Sequence, residues 1–138
     1  MTNPAPLMAG KKGLIMGVAN DRSIAWGISK ALSEHGAELA FTYQGDALLK
    51  RVQPLAASVG SDMVMPCDVT DSGSLQTTFD TIAEKWGKLD FILHAIAFSD
   101  KEELKGRYID TSADNFQATM NISCYSFTQV CQHAAPMM

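Results

Sequence analysis

Two periods of apolar residues take turns along this chain. Short runs rich in β-branched, aromatic and aliphatic residues occupy 12–17, 38–43, 62–66 and 89–98, and each reads as a strand. Between them the apolar positions fall at helical spacing. Ile24, Ile28, Ala31 and Leu32 mark one face of a first helix, which Gly36 stops, and Leu48, Leu49, Val52, Leu55 and Ala56 mark a second. In a third, Leu75, Phe79, Ile82, Ala83 and Trp86 recur at the spacing of an amphipathic helix. Strand, helix and strand at these intervals require parallel strands joined by right-handed crossovers, so the pattern predicts an α/β fold with a doubly wound parallel sheet.

The regularity breaks at 99–111, where Lys101, Glu102, Glu103, Lys105, Gly106 and Arg107 make an unpatterned polar stretch, a surface loop. A last helix is expected from Ser112, with Ser112 or Thr111 as its cap and Phe116, Met120, Phe127, Val130 and Cys131 on its apolar face. With no strand after it, the fourth strand is left as a sheet edge. Leu93, Ala95, Ile96, Ala97 and Phe98 make that edge apolar on both faces, which soluble proteins avoid because it templates aggregation. The expectation is that residues 1–138, with four strands and their helices, are the N-terminal, cofactor-binding part of a single larger domain.

Composition narrows the classes. At 138 residues, 46% apolar and 19% charged, the chain can bury the core of one ordinary domain. A net charge of −4, with Lys and Arg spread thinly, leaves no basic face for a phosphodiester backbone and argues against nucleic acid. Residues 1–10 carry neither a positive flank nor a sustained apolar core, and no run approaches a membrane span, so a cytoplasmic protein with no membrane partner is expected. Cys67, Cys124 and Cys131 lack metal-ligand spacing and read as reduced, packed thiols, with no metal site.

Four places carry candidate chemistry. The first is Gly17-Val18-Ala19-Asn20-Asp21-Arg22-Ser23-Ile24, directly behind the apolar run 13–16. A strand that turns through glycine into a helix offers backbone N–H groups to a pyrophosphate, and Ser23 stands at the N-cap, its hydroxyl free to bond a helix N–H or a phosphate oxygen. A helix dipole holds an anion by only about 0.3–1 kcal/mol, so several donors must act together. The run is not G-x-G-x-x-G, and taken alone it serves a plain turn equally well. The second is Gln44, just past the second strand where an adenosine ribose would lie. It is neutral, can donate and accept, and has no Arg or Lys beside it, which favours NADH over NADPH; a solvent-exposed loop glutamine is the alternative.

The third place is Cys67-Asp68-Val69, where Asp68 can accept from an adenine amino group and Val69 can cover the ring, or Asp68 can simply cap a turn toward Asp71 and Ser72. The fourth is His94-Ala95-Ile96-Ala97-Phe98-Ser99. Its small residues admit a ring or ribose close to the backbone, with Phe98 and Ser99 nearer a substrate, while His94 on an apolar strand reads as packed and hydrogen-bonded, not catalytic.

Taken together, the Gly17 turn with Ser23-Ile24-Ala25, then Glu38-Leu39-Ala40-Phe41-Thr42-Tyr43-Gln44, Cys67-Asp68-Val69 and Asn121-Ile122-Ser123-Cys124-Tyr125-Ser126-Phe127 resemble the bacterial enoyl-acyl-carrier-protein reductases of the FabI type. That family is a divergent branch of the short-chain dehydrogenase/reductase superfamily, and the resemblance runs in register over nearly the whole chain after the first ten residues. It implies a Rossmann-like fold, a homotetramer, and NADH-dependent reduction of the trans-2 double bond of an acyl-carrier-protein thioester in the last step of fatty-acid elongation.

The resemblance also implies that Gly17, Ser23, Ile24, Gln44, Asp68, Val69 and Ile96 contact NAD, with Ala19 a weaker candidate and Ser99 at the substrate end. The enolate that hydride transfer leaves on the thioester needs a donor, which in the family is a Tyr accompanied by a Lys. Both belong beyond Met138, and Tyr43, Tyr108 and Tyr125 do not match their motif, so no catalytic residue is assigned within this chain and the chain alone is expected to be inactive. Ala95-Ile96-Ala97 departs from the family's frequent Ser-Ile-Gly and would tighten or shift the nicotinamide pocket. Two other functions stay open: a ketone or alcohol dehydrogenase of the same superfamily, and a nucleotide-binding module without turnover.

Overall fold

A computed structural model describes residues 5–138; the first four residues of the stretch 1–10 lie outside it. The order is β1 (Lys12–Met16), α1 (Ile24–Glu34), β2 (Glu38–Tyr43), α2 (Asp46–Ser58), β3 (Val64–Pro66), α3 (Ser72–Trp86) and β4 (Phe91–His94). Then come α4 (Ala113–Met120), a single π-turn (Asn121–Tyr125) and α5 (Ser126–Ala134). All strand pairs are parallel and the sheet runs β3-β2-β1-β4. The chain winds outward from β1 through β2 to β3, then crosses back over α3 to lay β4 on the other side of β1. The fold is therefore α/β and Rossmann-like, with its switch of direction between β1 and β4.

Side chains alternate across the sheet and build two cores. Leu14, Met16, Ala40 and Met65 face α3 and α5, packing on Leu75, Phe79, Ile82, Val130 and Ala134. Ile15, Leu39 and Phe41 face α1 and α2, packing on Ala25, Trp26, Val52 and Ala56. With a layer on each side, Leu14, Ile15 and Met16 of central β1 are wholly buried, which is why that strand reads as a continuous apolar run. Asp71 caps α3 through bonds from the N–H groups of Gly73 and Ser74, and Gly36 follows α1 in the left-handed region at φ 93, the stop its position predicted.

Several expectations need correction. The buried face of α1 is Ala25, Trp26 and Ser29, while Ile24 is 82% exposed and Ile28 and Ala31 also face outward. The small Ala25 and Ser29 let the helix lie close to the sheet, with the Ser29 hydroxyl bonded to the Ala25 carbonyl at 2.6 Å. On α3, Ala83 turns to solvent and Thr78 is buried in the face with Leu75, Phe79 and Ile82. The ladder of β3 begins at Val64, not at residue 62, and that of β4 covers only Phe91–His94 of the expected 89–98. The Leu89 side chain is buried, but its N–H bonds the Met137 carbonyl instead of a strand.

The last helix departs most. Of its expected apolar face only Val130 is buried, while Phe116, Met120, Phe127 and Cys131 are exposed. A polar stripe faces inward instead. Asn115, Thr119 and Ser123, each four residues apart, bond the chain beyond β4, and Ser126 bonds His94. In an α-helix every fourth residue drifts about 40° round the axis. The wider π-turn winds more slowly and takes that drift back, so the stripe stays aligned with the sheet edge it grips.

Candidate functional site

The C-terminal ends of β1 and β4 part where the sheet changes direction, and the chain leaving β1 must bend sharply there. Gly17 makes the bend at φ 112, and a Cβ at this position would drive into the Ala95 carbonyl oxygen. Backbone freedom and absence of a side chain are both required. The turn that follows is tied by its own residues. Ser23 Oγ accepts from the N–H of Ala19 (2.9 Å) and of Asn20 (3.1 Å), and Asn20 Oδ1 accepts from the N–H of Arg22.

Ser23 thus occupies the N-cap position with its carbonyl accepting from the N–H groups of Trp26 and Gly27, while its hydroxyl bonds no helix N–H. Its hydroxyl shapes the loop. Among the described residues, the N–H groups of Ile24 and Ala25 have no partner, leaving the positive end of α1 with free donors at the mouth of the crevice.

Two clefts share one wall here. The first, of about 180 Å3, is lined by Gly17, Val18, Ala19, Thr42, Tyr43, Gln44, Leu48, Cys67, Val69 and residues 95–97. The second, of about 510 Å3, is lined by Gly17, Ser23, Ile24, Ala25, His94, residues 95–97 and Ser123. Gly17 and Ile96 belong to both. The crevice therefore brings together Gly17, Ala19, Ser23, Ile24, Gln44, Val69 and Ile96 from the ends of all four strands.

Asp68 lies at the rim. Its Oδ1 accepts from the Thr70 hydroxyl (2.6 Å) and N–H (2.8 Å), so the turn-capping role is realised. The Thr70 hydroxyl, then its N–H, hold the Asp68 carboxyl below the usual carboxylate range, and the Gln44 side chain adds to them. Gln44 and both chain neighbours of Asp68, Cys67 and Val69, line the first cleft. Burial pushes the neighbouring Cys67 thiol up, against the Thr78 and Ser74 hydroxyls, which leaves it an unreactive wall.

Ser99 is not in this crevice. It lines a separate cavity of about 440 Å3 with Leu104, Tyr108, Phe116 and Met120, and its hydroxyl is engaged by Thr119 (2.9 Å) and Asn115 (3.2 Å). His94 is packed, with Nε2 2.8 Å from Ser126 Oγ and its ring edge-on to Phe127. Burial lowers its pKa from the ordinary 6.5. Among the described residues no three His, Cys, Asp or Glu side chains gather as a metal site, and no helix is long and apolar enough to cross a membrane.

Sequence reasoning missed Val18, Thr42, Tyr43, Leu48 and Ser123 as crevice walls. The first four follow from placing strand ends side by side, a step the strand boundaries alone allow. Ser123 had only a faint signal, a polar residue every fourth position from Asn115.

A parallel α/β sheet with a glycine-lined crevice and free helix donors at its switch point defines a Rossmann-like nucleotide-site architecture. The family model described as Enoyl-(Acyl carrier protein) reductase matches residues 17–138. This chain belongs to that family. It is 65% identical, over 96% of its length, to enoyl-[acyl-carrier-protein] reductase [NADH] 2 of Rhizobium meliloti (strain 1021), and it covers 49% of that protein. The crystal structure of the Anaplasma phagocytophilum enoyl-(acyl-carrier-protein) reductase in complex with NAD superposes with a TM-score of 0.93 at 55% identity, covering 99% of this chain and 52% of that one. FabI from Candidatus Liberibacter asiaticus gives 0.95 at 54% identity, covering 98% and 52%. The chain thus spans about half the length of the relatives it matches.

Proposed function

We propose that this chain is the cofactor-binding first half of an NADH-dependent enoyl-acyl-carrier-protein reductase, residues 1–138 being the N-terminal part of a single Rossmann-like domain. The observation that carries the reading is the Gly17 turn pressed against Ala95, with unpartnered N–H groups of Ile24 and Ala25 opening on the same crevice. The residues present fit the group: any side chain at position 17 would collide with Ala95 and displace the crevice wall, and the donors at α1 suit a diphosphate. Ser23 holds the loop that presents those donors. Gln44 is placed to exchange hydrogen bonds with ribose hydroxyls, and Asp68 beside it to accept from the adenine amino group, with Val69 against the ring.

NADH, when bound, supplies the hydride that reduces the trans-2 double bond. This chain's part is to bind and orient: Ile96 and its alanine neighbours bring backbone close to the nicotinamide end, and Ser99 stands toward the acyl-carrier-protein-bound enoyl substrate. The donor to the thioester oxygen, a Tyr with its Lys, is assigned to sequence outside this chain. A cytoplasmic homotetramer is carried over from the resemblance, and the exposed Phe116, Met120, Tyr125 and Phe127 offer it an apolar subunit face.

The experiment is a titration of the chain with NADH and NADPH, beside an assay with a crotonyl thioester. We expect NADH to bind in preference, no turnover by the chain alone, and a shift toward NADPH in Gln44→Arg, which offers a partner to the 2′-phosphate. Turnover by the isolated chain, or an unchanged cofactor ratio in Gln44→Arg, would overturn the corresponding assignment.

A further inference from the structure

Residues 95–97 form the wall that both clefts share, yet the sheet barely holds them or Phe98 after them. The last ladder bond is from the Ala95 N–H to the Met16 carbonyl at 2.9 Å. Among the described residues, the next hydrogen bonds to this stretch of backbone are both at Phe98, and both come from one side chain. Ser123 Oγ accepts from the Phe98 N–H at 3.0 Å and donates to the Phe98 carbonyl at 3.1 Å. A hydroxyl has one proton to give and lone pairs to accept with, so a single serine satisfies both backbone groups of one residue. Ser123 also lines the larger cleft itself, carried there by the π-turn.

We infer that Ser123 is a positioning residue for the nicotinamide side of the crevice: it pins the far end of the stretch whose near end the β1–β4 ladder pins, and so fixes where Ile96 and Ala97 stand. This rests on the cofactor reading above. The adenosine side is built from Gln44, Leu48, Cys67 and Val69, on the bend after β2, on α2 and on the turn after β3, a cleft that Ser123 does not line. Phe98 is exposed, so water can replace the hydroxyl when it is removed. Losing Ser123 therefore loosens the wall and leaves the cores intact.

The test compares the parent chain with Ser123→Ala and Ser123→Thr, titrating NADH and ADP separately and following amide exchange at Phe98 without ligand. The expected result is that Ser123→Ala weakens NADH roughly five- to ten-fold, the loss of one hydrogen-bonding group, with ADP affinity within about two-fold of the parent. Exchange at Phe98 accelerates, thermal stability is little changed, and Ser123→Thr, which keeps donor and acceptor, restores all of these. Equal losses for ADP and NADH would make the role merely structural and overturn the inference, as would unaltered exchange at Phe98. NADH binding by the parent that Ser123→Ala leaves untouched overturns this inference alone, whereas a parent that binds neither nucleotide overturns the cofactor reading and this inference with it.

Discussion

The two walls of the crevice are held in opposite ways. The loop after β1 is fixed by residues within a few positions of one another: Gly17 bends it, and Ser23 and Asn20 gather its N–H groups. The stretch after β4 has no such local support and is gripped by Asn115, Thr119 and Ser123, from a helix whose residues lie 15 to 25 positions further along the chain. Local bonds cost little loop entropy and form with the turn, whereas the second wall takes shape only once α4 and α5 have docked. One wall is rigid by construction. The other is adjustable through side chains.

That contrast breaks most easily at Gly17. Alanine there meets the Ala95 carbonyl oxygen and must hold a φ of 112, so steric overlap and backbone strain combine. We expect Gly17→Ala to cost about 3 kcal/mol in urea or thermal unfolding and to abolish NADH binding, because it pushes the walls apart where Gly17 meets Ala95. A cost comparable to an ordinary surface substitution would mean that the first wall yields as readily as the second.

Ser23→Ala is the next largest change. It removes the acceptor for two N–H groups while leaving the α1 donors in place, and about 1–2 kcal/mol of stability should go with it, together with a several-fold loss of NADH affinity. Equilibrium unfolding and fluorescence titration measure the two. Were stability lost without affinity, the loop's shape would not matter to the ligand, and the rigid wall would be only a scaffold.

The same contrast explains what could be read from the sequence. Much that near neighbours govern was legible: the strand-glycine-helix turn at Gly17, the end of α1 at Gly36, the parallel strands implied by strand-helix-strand spacing, and a cap at Ser112 or Thr111, of which Ser112 accepts from the Asn115 N–H. That Gln44 and Val69 line one cleft follows from putting neighbouring strand ends together. The last helix was misread because its apolar residues suggested a core face, while what it meets is the chain beyond β4, where Asn115 and Ser123 bond backbone groups of Asp100 and Phe98 and Thr119 bonds the Ser99 hydroxyl. Period alone also misjudged α1, where small Ala25 and Ser29, not Ile24 and Ile28, set the approach to the sheet. A hydrophobic pattern cannot show that a close-packed face is made of small residues or that an apolar one is left at a site.

The smallest effect sharpens the comparison from the side of pH. Ser126 is fully buried and donates its one proton to the Ile122 carbonyl at 2.6 Å, so at 2.8 Å it must accept from His94 Nε2–H. His94 is bonded through Nε2–H in the folded chain, and burial disfavours its charged form. With its folded pKa below the ordinary 6.5, the unfolded chain takes up a proton first as the solution is acidified. Stability contributed by neutral His94 is therefore complete above 6.5 and declines as pH falls through the interval down to the folded pKa. Asp68, whose pKa is lowered, loses its contribution only in the carboxylate range and does not confuse a scan between pH 5 and pH 7. Thermal unfolding across that scan should show a steeper decline in the parent than in His94→Gln, which keeps a donor for Ser126 but does not titrate. Phe98 amide exchange should quicken over the same interval while that of Asn20 does not, since protonation acts on the helix-gripped wall and leaves the Ser23 loop alone. Identical slopes in parent and variant would mean that His94 gains its proton without disturbing Ser126, and that the second wall is as indifferent to its distant supports as the first.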